Sequence, residues 1–229
     1  MNPLYIEVVA SIKDKINEGV LEEGEKLPSE RELSIEYNVS RNVIREAISV
    51  LRDEGLVTVY AGKGSYITKP DPTMITETIK RVMSNYNTTL ENILEVREGL
   101  ELSIIKNVIK RASPDDIRKL NEIYESMDEN KMNITRFVKL DERFHLSLAE
   151  SSKNPLYVVL LQTFIEMTQH VFFEFTKLIP ESVEQAQEHH LKLVLAIEER
   201  NEALALDIMN AHMQVLRDEI EILKGRGVI

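Results

Sequence analysis

Apolar positions along this chain follow two rhythms, and the change from one to the other sketches the fold. Val43, Ala47, Ile48 and Leu51 recur at helical spacing and predict a helix with one buried face. After Gly55, Leu56-Val57-Thr58-Val59-Tyr60 and then Ser65-Tyr66-Ile67 alternate with a period of two, which predicts two short strands around Ala61-Gly62-Lys63-Gly64. From about Thr73 onward the rhythm is helical throughout, and polar residues punctuate it. One helix is expected over 73–86, and Thr88 with Glu91 reads as a capping box for a helix to Arg111. Ser113-Pro114-Asp115-Asp116 supplies an N-cap, a proline at the first helical position and two acids suited to the helix dipole. Asn130 to Asn133 breaks the chain before a helix to Ser151, and Asn154-Pro155 restarts one that runs to Leu178. Ser182 and Gln185 open the next, ending near Asn201, and the last runs to Lys224. Seven helices with short links predict an antiparallel bundle. The expected fold class is mainly α.

The N-terminal part carries a second pattern. Ser29 and Glu32 form a capping box for a short helix to Tyr37, and a tight Asn38-Val39-Ser40 turn leads into a helix capped by Ser40. Arg41 and Arg45 lie four apart near the start of that helix, the end that helix-turn-helix proteins push into the major groove. With the two strands, this is a winged helix-turn-helix. The run Leu27-Pro28-Ser29-Glu30-Arg31-Glu32-Leu33, then Val39-Ser40-Arg41 with Ile44-Arg45-Glu46-Ala47, then Leu51 with Glu54-Gly55-Leu56-Val57, then Gly62-Lys63-Gly64, resembles the N-terminal domain of GntR-family bacterial transcription regulators. The resemblance spans about the first 68 residues and implies double-stranded DNA as partner. The expected contacts are Arg31, Ser40, Arg41, Asn42, Arg45, Gly62, Lys63 and Gly64.

Composition narrows the classes. A chain of 229 residues accommodates two domains of ordinary size. Without cysteine it has no disulfide scaffold, cysteine-based zinc finger or thiol nucleophile. The start lacks the basic and apolar regions of a signal peptide, and no uninterrupted apolar run approaches a membrane span, so a soluble cytoplasmic protein is expected. The net charge of −11 is unusual for a DNA binder, and residues 1–68 hold eight Lys/Arg against twelve Asp/Glu. Glu18, Glu22, Glu23 and Glu25 precede the DNA-reading helices, whereas Arg31, Arg41, Arg45 and Lys63 supply local cations for phosphate and guanine. Weak non-specific binding, with reliance on a dimer, is the expectation. Lys69-Pro70-Asp71-Pro72 suits neither helix nor sheet, which places a linker at 69–73 between domains at 1–68 and 74–229.

All five histidines lie beyond that linker. Asp141 and His145 are spaced i, i+4 and meet on one helical face, about 5–6 Å apart at Cβ. His190 and His212 each stand eleven residues from Asn201, about 16 Å along their helices, and so come level in an antiparallel hairpin. One carboxylate and three imidazoles suit a divalent transition metal with positions left open. An ordinary surface or core role fits the same spacings. The surrounding sequence, Asp141-Glu142-Arg143-Phe144-His145, Asn154-Pro155-Leu156, and His190 six residues before Ala196-Ile197, resembles the FCD ligand-binding domain of FadR-type GntR regulators. That resemblance implies a metal, often zinc or nickel, on Asp141, His145, His190 and His212, with a small organic carboxylate completing the coordination. His189, about 100° around the helix from His190, is expected on a solvated or interface face, and His170 in the core or a pocket wall.

Arg97 matches a family arginine that faces the effector, and a guanidinium fork can bond both carboxylate oxygens. It could equally pair with Glu101 at i+4. Leu102-Ser103-Ile104-Ile105 replaces the family's small, alanine-rich run and leaves the pocket's size open. The expected protein is a homodimeric, ligand-responsive transcription factor, most often a repressor in this family, on a palindromic operator. Two alternatives stand beside it: a metal-dependent hydrolase-like enzyme, and a metal-free acyl-thioester sensor.

Overall fold

Pro3 precedes the first helix without making a side-chain cap, so burial alone announces that helix, through Val8, Val9 and Ile12. The structure is a computed structural model, and it describes residues 3–68, 72–86, 88–179 and 181–227. The chain divides into two compact units, one ending at Met74 and the other beginning at Ile75. Lys69, Pro70 and Asp71, the centre of the expected linker, lie outside the described residues, and Pro72 already opens a helix.

The first unit comprises α1 (Leu4–Asn17), α2 (Glu30–Glu36), α3 (Arg41–Asp53), β1 (Val57–Tyr60) and β2 (Gly64–Ile67). The Ser29/Glu32 capping box forms, and the Ser40 hydroxyl oxygen accepts from the Val43 N–H. On α3 the buried face is Ile44, Ala47, Ile48 and Leu51. Val43, expected in that face, is only half-buried, and its neighbour Ile44 takes the core position. Leu56 is not yet strand; its N–H bonds the Leu51 carbonyl and closes α3 over Gly55. The strands pair antiparallel from Val57 opposite Ile67 to Tyr60 opposite Gly64. Gly64 has φ +108°, and a Cβ there would meet Lys26 Cε at 2.8 Å, so this corner of the wing admits only glycine without rearrangement.

Seven helices follow, the first beginning just before the unit boundary, and among the described residues no strand accompanies them: α4 (Pro72–Asn85), α5 (Leu90–Arg111), α6 (Pro114–Glu129), α7 (Ile134–Ser151), α8 (Pro155–Leu178), α9 (Glu181–Glu198) and α10 (Glu202–Gly225). Two caps differ from expectation. The box that opens α5 is Thr89 with Asn92, one residue after Thr88 and Glu91, and Glu91 bonds Lys224 instead. Ser182 lies buried inside α9 rather than capping it. The remaining punctuation holds: the Ser113/Asp116 box with Pro114, and Asn154 ahead of Pro155. α8 is long and apolar enough by length and composition to cross a membrane, although no membrane span is expected from the sequence. Gln162, Glu166, Gln169 and Glu174 interrupt it, and it packs against α5 and α7.

Neighbouring helices cover one core, from Ile104, Ile105 and Val108 on α5 through Phe144 and Leu148 on α7 to Val194 and Met209 on α9 and α10. At the α9–α10 turn Arg200, with φ +56°, sends its guanidinium to the carbonyls of Val108, Ile109 and Ala112. The Ile109 and Ala112 carbonyls are acceptors that the end of α5 would otherwise leave open, whereas the Val108 carbonyl also takes the Ala112 N–H. The turn that sets the register of α9 against α10 is thereby fastened to α5, and that register decides where His190 and His212 meet.

Candidate functional site

Five helices aim polar side chains into the middle of the second unit. Arg97 and Glu101 come from α5, Asp141 and His145 from α7, Thr168 from α8, His190 from α9 and His212 from α10. Their burial is nearly complete: Glu101 and His145 are 0% exposed, His190 1%, Arg97 and Asp141 6%. His212 is half-buried. One ligand atom from each of His145, His190 and His212 lies within 4.8 Å of the others. Asp141 Oδ1 stands 3.4 Å from His190 Nε2. The four residues expected at the metal therefore come together: the spacings account for each pair, and the packing of the bundle brings the two pairs to one place.

The site tests its own fitness for a cation through atoms left without partners. Asp141 Oδ1, His145 Nε2, His190 Nε2 and His212 Nδ1 are all buried and make no hydrogen bond. Burying an unsatisfied polar group costs about 1–3 kcal/mol, so four together need a common partner. Burial, then repulsion from His145, holds the His190 imidazole well below its ordinary pKa. Burial, then His190, does the same for His212. Both rings are therefore neutral and offer lone pairs. Burial raises the Asp141 carboxyl, against the pull of His145 and Arg97. Three imidazoles and a carboxylate around one point form a donor set suited to zinc or nickel.

Glu101, which the sequence pattern offers only as a partner for Arg97, has a second contact. Its Oε1 lies 2.9 Å from His145 Nδ1 and 3.4 Å from Arg97 Nε. The His145 contact is close but out of line for a straight hydrogen bond. Burial opposes the charge on Glu101, yet His145 and Arg97 hold its pKa below the ordinary value. Burial likewise opposes charge on His145, and Glu101 overrides it and raises that imidazole. Arg97 thus makes the intrahelical pair and also donates through Nη1 to Thr168 Oγ1 at 3.2 Å. The intrahelical pair is therefore present, and with five N–H donors the guanidinium keeps others beyond these two bonds.

A cavity of about 20 Å³ lies among Arg97, Asp141, Phe172, His212, Val215 and Leu216. Larger depressions lie elsewhere, one of about 550 Å³ bordered by Asp128, Glu181, Glu184 and Glu188. That depression, with Lys131 among its acids, lies apart from the histidine cluster, which the smaller cavity adjoins through Asp141 and His212. His189, expected on a solvated or interface face, is half-buried, its ring 5.9 Å from that of His212, with Nδ1 buried and unpaired. His170, expected in the core or a pocket wall, is exposed and lines a surface depression with Lys139 and Glu166.

In the first unit Arg31, Ser40, Arg41, Asn42, Arg45, Gly62, Lys63 and Gly64 are all exposed. Arg45 is not free in this state: its Nε donates to Glu30 Oε2 at 2.7 Å.

Comparison with known proteins completes the assignment. Residues 4–67 match the gntR family of bacterial regulatory proteins, and residues 92–215 match the FCD domain. The "Putative L-lactate dehydrogenase operon regulatory protein" of Escherichia coli (strain K12) is 32% identical over 217 residues, covering 90% of this chain and 82% of that protein. The "Glc operon transcriptional activator" of the same organism is 28% identical over 233 residues, covering 98% and 92%. A solved structure described as "Streptococcus agalactiae GntR" shares the fold at TM-score 0.75 and 24% identity, covering 93% of this chain and 99% of that one. These relatives are transcription regulators, which removes the hydrolase alternative. The chain belongs to the GntR family of DNA-binding bacterial transcription regulators, and its helical unit is an FCD domain.

Proposed function

We propose that this regulator senses a small organic carboxylate at a metal held by Asp141, His145, His190 and His212, and passes the signal to operator DNA. The single observation behind this reading is the convergence of four buried donor atoms with no hydrogen-bond partner. A divalent cation there, zinc or nickel, supplies a Lewis-acid anchor for the effector. The charges of the centre support the ligand class. With a divalent ion bound, the ligands Asp141 and the three imidazoles would be deprotonated, and with Glu101 negative and Arg97 positive the local sum would be about +1, which a monocarboxylate neutralises. Arg97 retains N–H groups for that carboxylate beyond its bonds to Glu101 and Thr168.

Residues 1–68 form the DNA-reading domain in this proposal, with Arg31, Ser40, Arg41, Asn42 and Arg45 at the major groove and Gly62, Lys63 and Gly64 at the wing. Residues 74–229 hold metal, effector and the homodimer contact, and a two-fold dimer matches a palindromic cytoplasmic operator. Because one relative is named an activator and others only regulators, the sense of control is read from the operator's position rather than from the fold. The experiment is metal analysis of purified protein, with calorimetry of small carboxylates on the metal-loaded form. Wild type and His189→Ala should each carry about one metal per chain, and His190→Ala and Asp141→Ala none. Full metal in all four proteins would overturn the reading.

A further inference from the structure

Gln187, only 3% exposed, lies on α9 one turn before His190, and no part of the proposed metal or effector site uses it directly. Its two amide ends face different chemistry. Nε2 donates to the backbone carbonyl of Tyr124 on α6 at 3.4 Å. Oε1 lies 3.1 Å from His190 Nδ1. The orientation of the amide follows from the partners, because a backbone carbonyl can only accept. The NH₂ group must therefore face Tyr124, and the carbonyl oxygen must face the imidazole. That oxygen is itself acceptor-only, so His190 Nδ1 carries the ring proton. A neutral imidazole has one N–H and one lone pair, which leaves the lone pair on Nε2. Nε2 is the atom that is buried, unpaired and 3.4 Å from Asp141 Oδ1.

We infer that Gln187 is a positioning residue that fixes His190 as the Nδ1–H tautomer and presents its Nε2 lone pair to the centre. The inference rests on the metal reading for its purpose and on hydrogen-bond chemistry alone for its mechanism. Without an acceptor at Nδ1, a buried neutral imidazole can move its proton to Nε2, beside the Asp141 carboxylate, where it forms a hydrogen bond and presents no lone pair. Gln187 removes that competing state. Phe144, whose ring centroid is 4.6 Å from that of His190, packs against the same imidazole but offers neither donor nor acceptor to its nitrogens. The hold also extends outward, since the Tyr124 carbonyl anchors the amide to α6, a helix that supplies no ligand.

The test uses full-length protein labelled with ¹⁵N-histidine, in wild type, Gln187→Leu and Gln187→Glu. Long-range ¹H–¹⁵N correlation spectra of the metal-free proteins report the His190 tautomer, and competition with a chromophoric chelator reports Zn²⁺ and Ni²⁺ affinity. Wild type should show Nδ1–H at His190. Gln187→Leu should move protons onto Nε2 and weaken metal binding about 10- to 100-fold, the range for loss of a partner behind a metal ligand. Gln187→Glu keeps an acceptor toward His190 and loses the donor toward Tyr124. It should restore the tautomer and most of the affinity. A role confined to tying α9 to α6 predicts instead that Leu and Glu fail alike. The inference is overturned by Nε2–H in metal-free wild type, or by Nδ1–H and unchanged affinity in Gln187→Leu. Should Gln187→Leu fail to fold, the wild-type spectrum still decides. Should wild type take up neither Zn²⁺ nor Ni²⁺, the metal reading falls, while the spectra still decide the role of Gln187.

Discussion

The Oε1 atom of Glu101 lies 2.9 Å from Nδ1 of His145, and it is the same oxygen that Arg97 Nε reaches at 3.4 Å. One carboxylate oxygen thus joins the residue proposed to touch the effector to a residue proposed to hold the metal. Arg97→Ala should abolish effector binding in calorimetry. Metal content at saturating metal should persist, because Glu101 keeps His145 as a partner. Losing the buried charge-assisted bonds should lower stability by about 1–3 kcal/mol, read from urea melts. A variant that binds effector as wild type does would return Arg97 to a purely structural role.

Metal that binds only the folded chain stabilises it by mass action, about 2.7 kcal/mol at a hundredfold excess over Kd. Adding a chelator should therefore lower the melting temperature of wild type and leave His212→Ala almost unmoved. Equal shifts in both proteins would remove His212 from the ligand set.

On DNA, Arg41→Ala and Arg45→Ala should each cost about 1–3 kcal/mol of operator affinity, the worth of a good base contact. Arg45 must leave or share Glu30, its partner at 2.7 Å in the free protein. Glu30→Gln should then strengthen binding to unrelated sequences more than binding to the operator. Lys63→Ala should reduce the salt slope by about one and weaken all sequences evenly, as loss of a phosphate contact does. Unchanged operator affinity in both arginine variants, with folding intact, would mean that α3 is not the reading helix.

Acid sensitivity should appear at Asp116. Burial opposes its charge, but Lys153 and the Ser113 cap bring the carboxyl down to about 2 from 3.8. A folded-state pKa below the unfolded one gives stability that is present above about pH 4 and lost as the pH falls toward 2. Asp116→Asn should cost about 1 kcal/mol at pH 7, after allowance for solvent around the Lys153 pair, and the difference from wild type should vanish near pH 2. Parallel denaturation curves at both pH values would contradict this.

The winged motif and the bundle were legible because their signals are local. Ser29 with Glu32, Ser40, Ser113 with Asp116, and Asn154 before Pro155 each announce a helix within four residues. α1 was not legible, since Pro3 offers no cap and its only sign is the burial of Val8, Val9 and Ile12. The α5 cap falls one residue later than expected because Thr88 and Thr89 both stand three residues before a side chain able to reach back. Helical periodicity paired Asp141 with His145, and the symmetry about Asn201 paired His190 with His212, but that the two pairs meet was implied only by the family resemblance. The roles of Glu101 and Gln187 could not be read, because each acts on a histidine through contacts that depend on how the helices are packed. A trace of each was present: Glu101 stands four residues after Arg97, and Gln187 three before His190.

The cavity beside Arg97 and Asp141, about 20 Å³, accommodates roughly one water and no carboxylate of several heavy atoms. Binding of the proposed effector would require α8 and α10, whose Phe172, Val215 and Leu216 line the cavity, to move apart. Apparent affinity is the intrinsic affinity multiplied by the fraction of time the helices stand apart, so an open form populated at about 1% weakens it about a hundredfold. Under the proposed reading, sensitivity to the effector becomes a heritable setting of the three apolar side chains that line the cavity. Each can be retuned by a methylene without altering a metal ligand or a base contact.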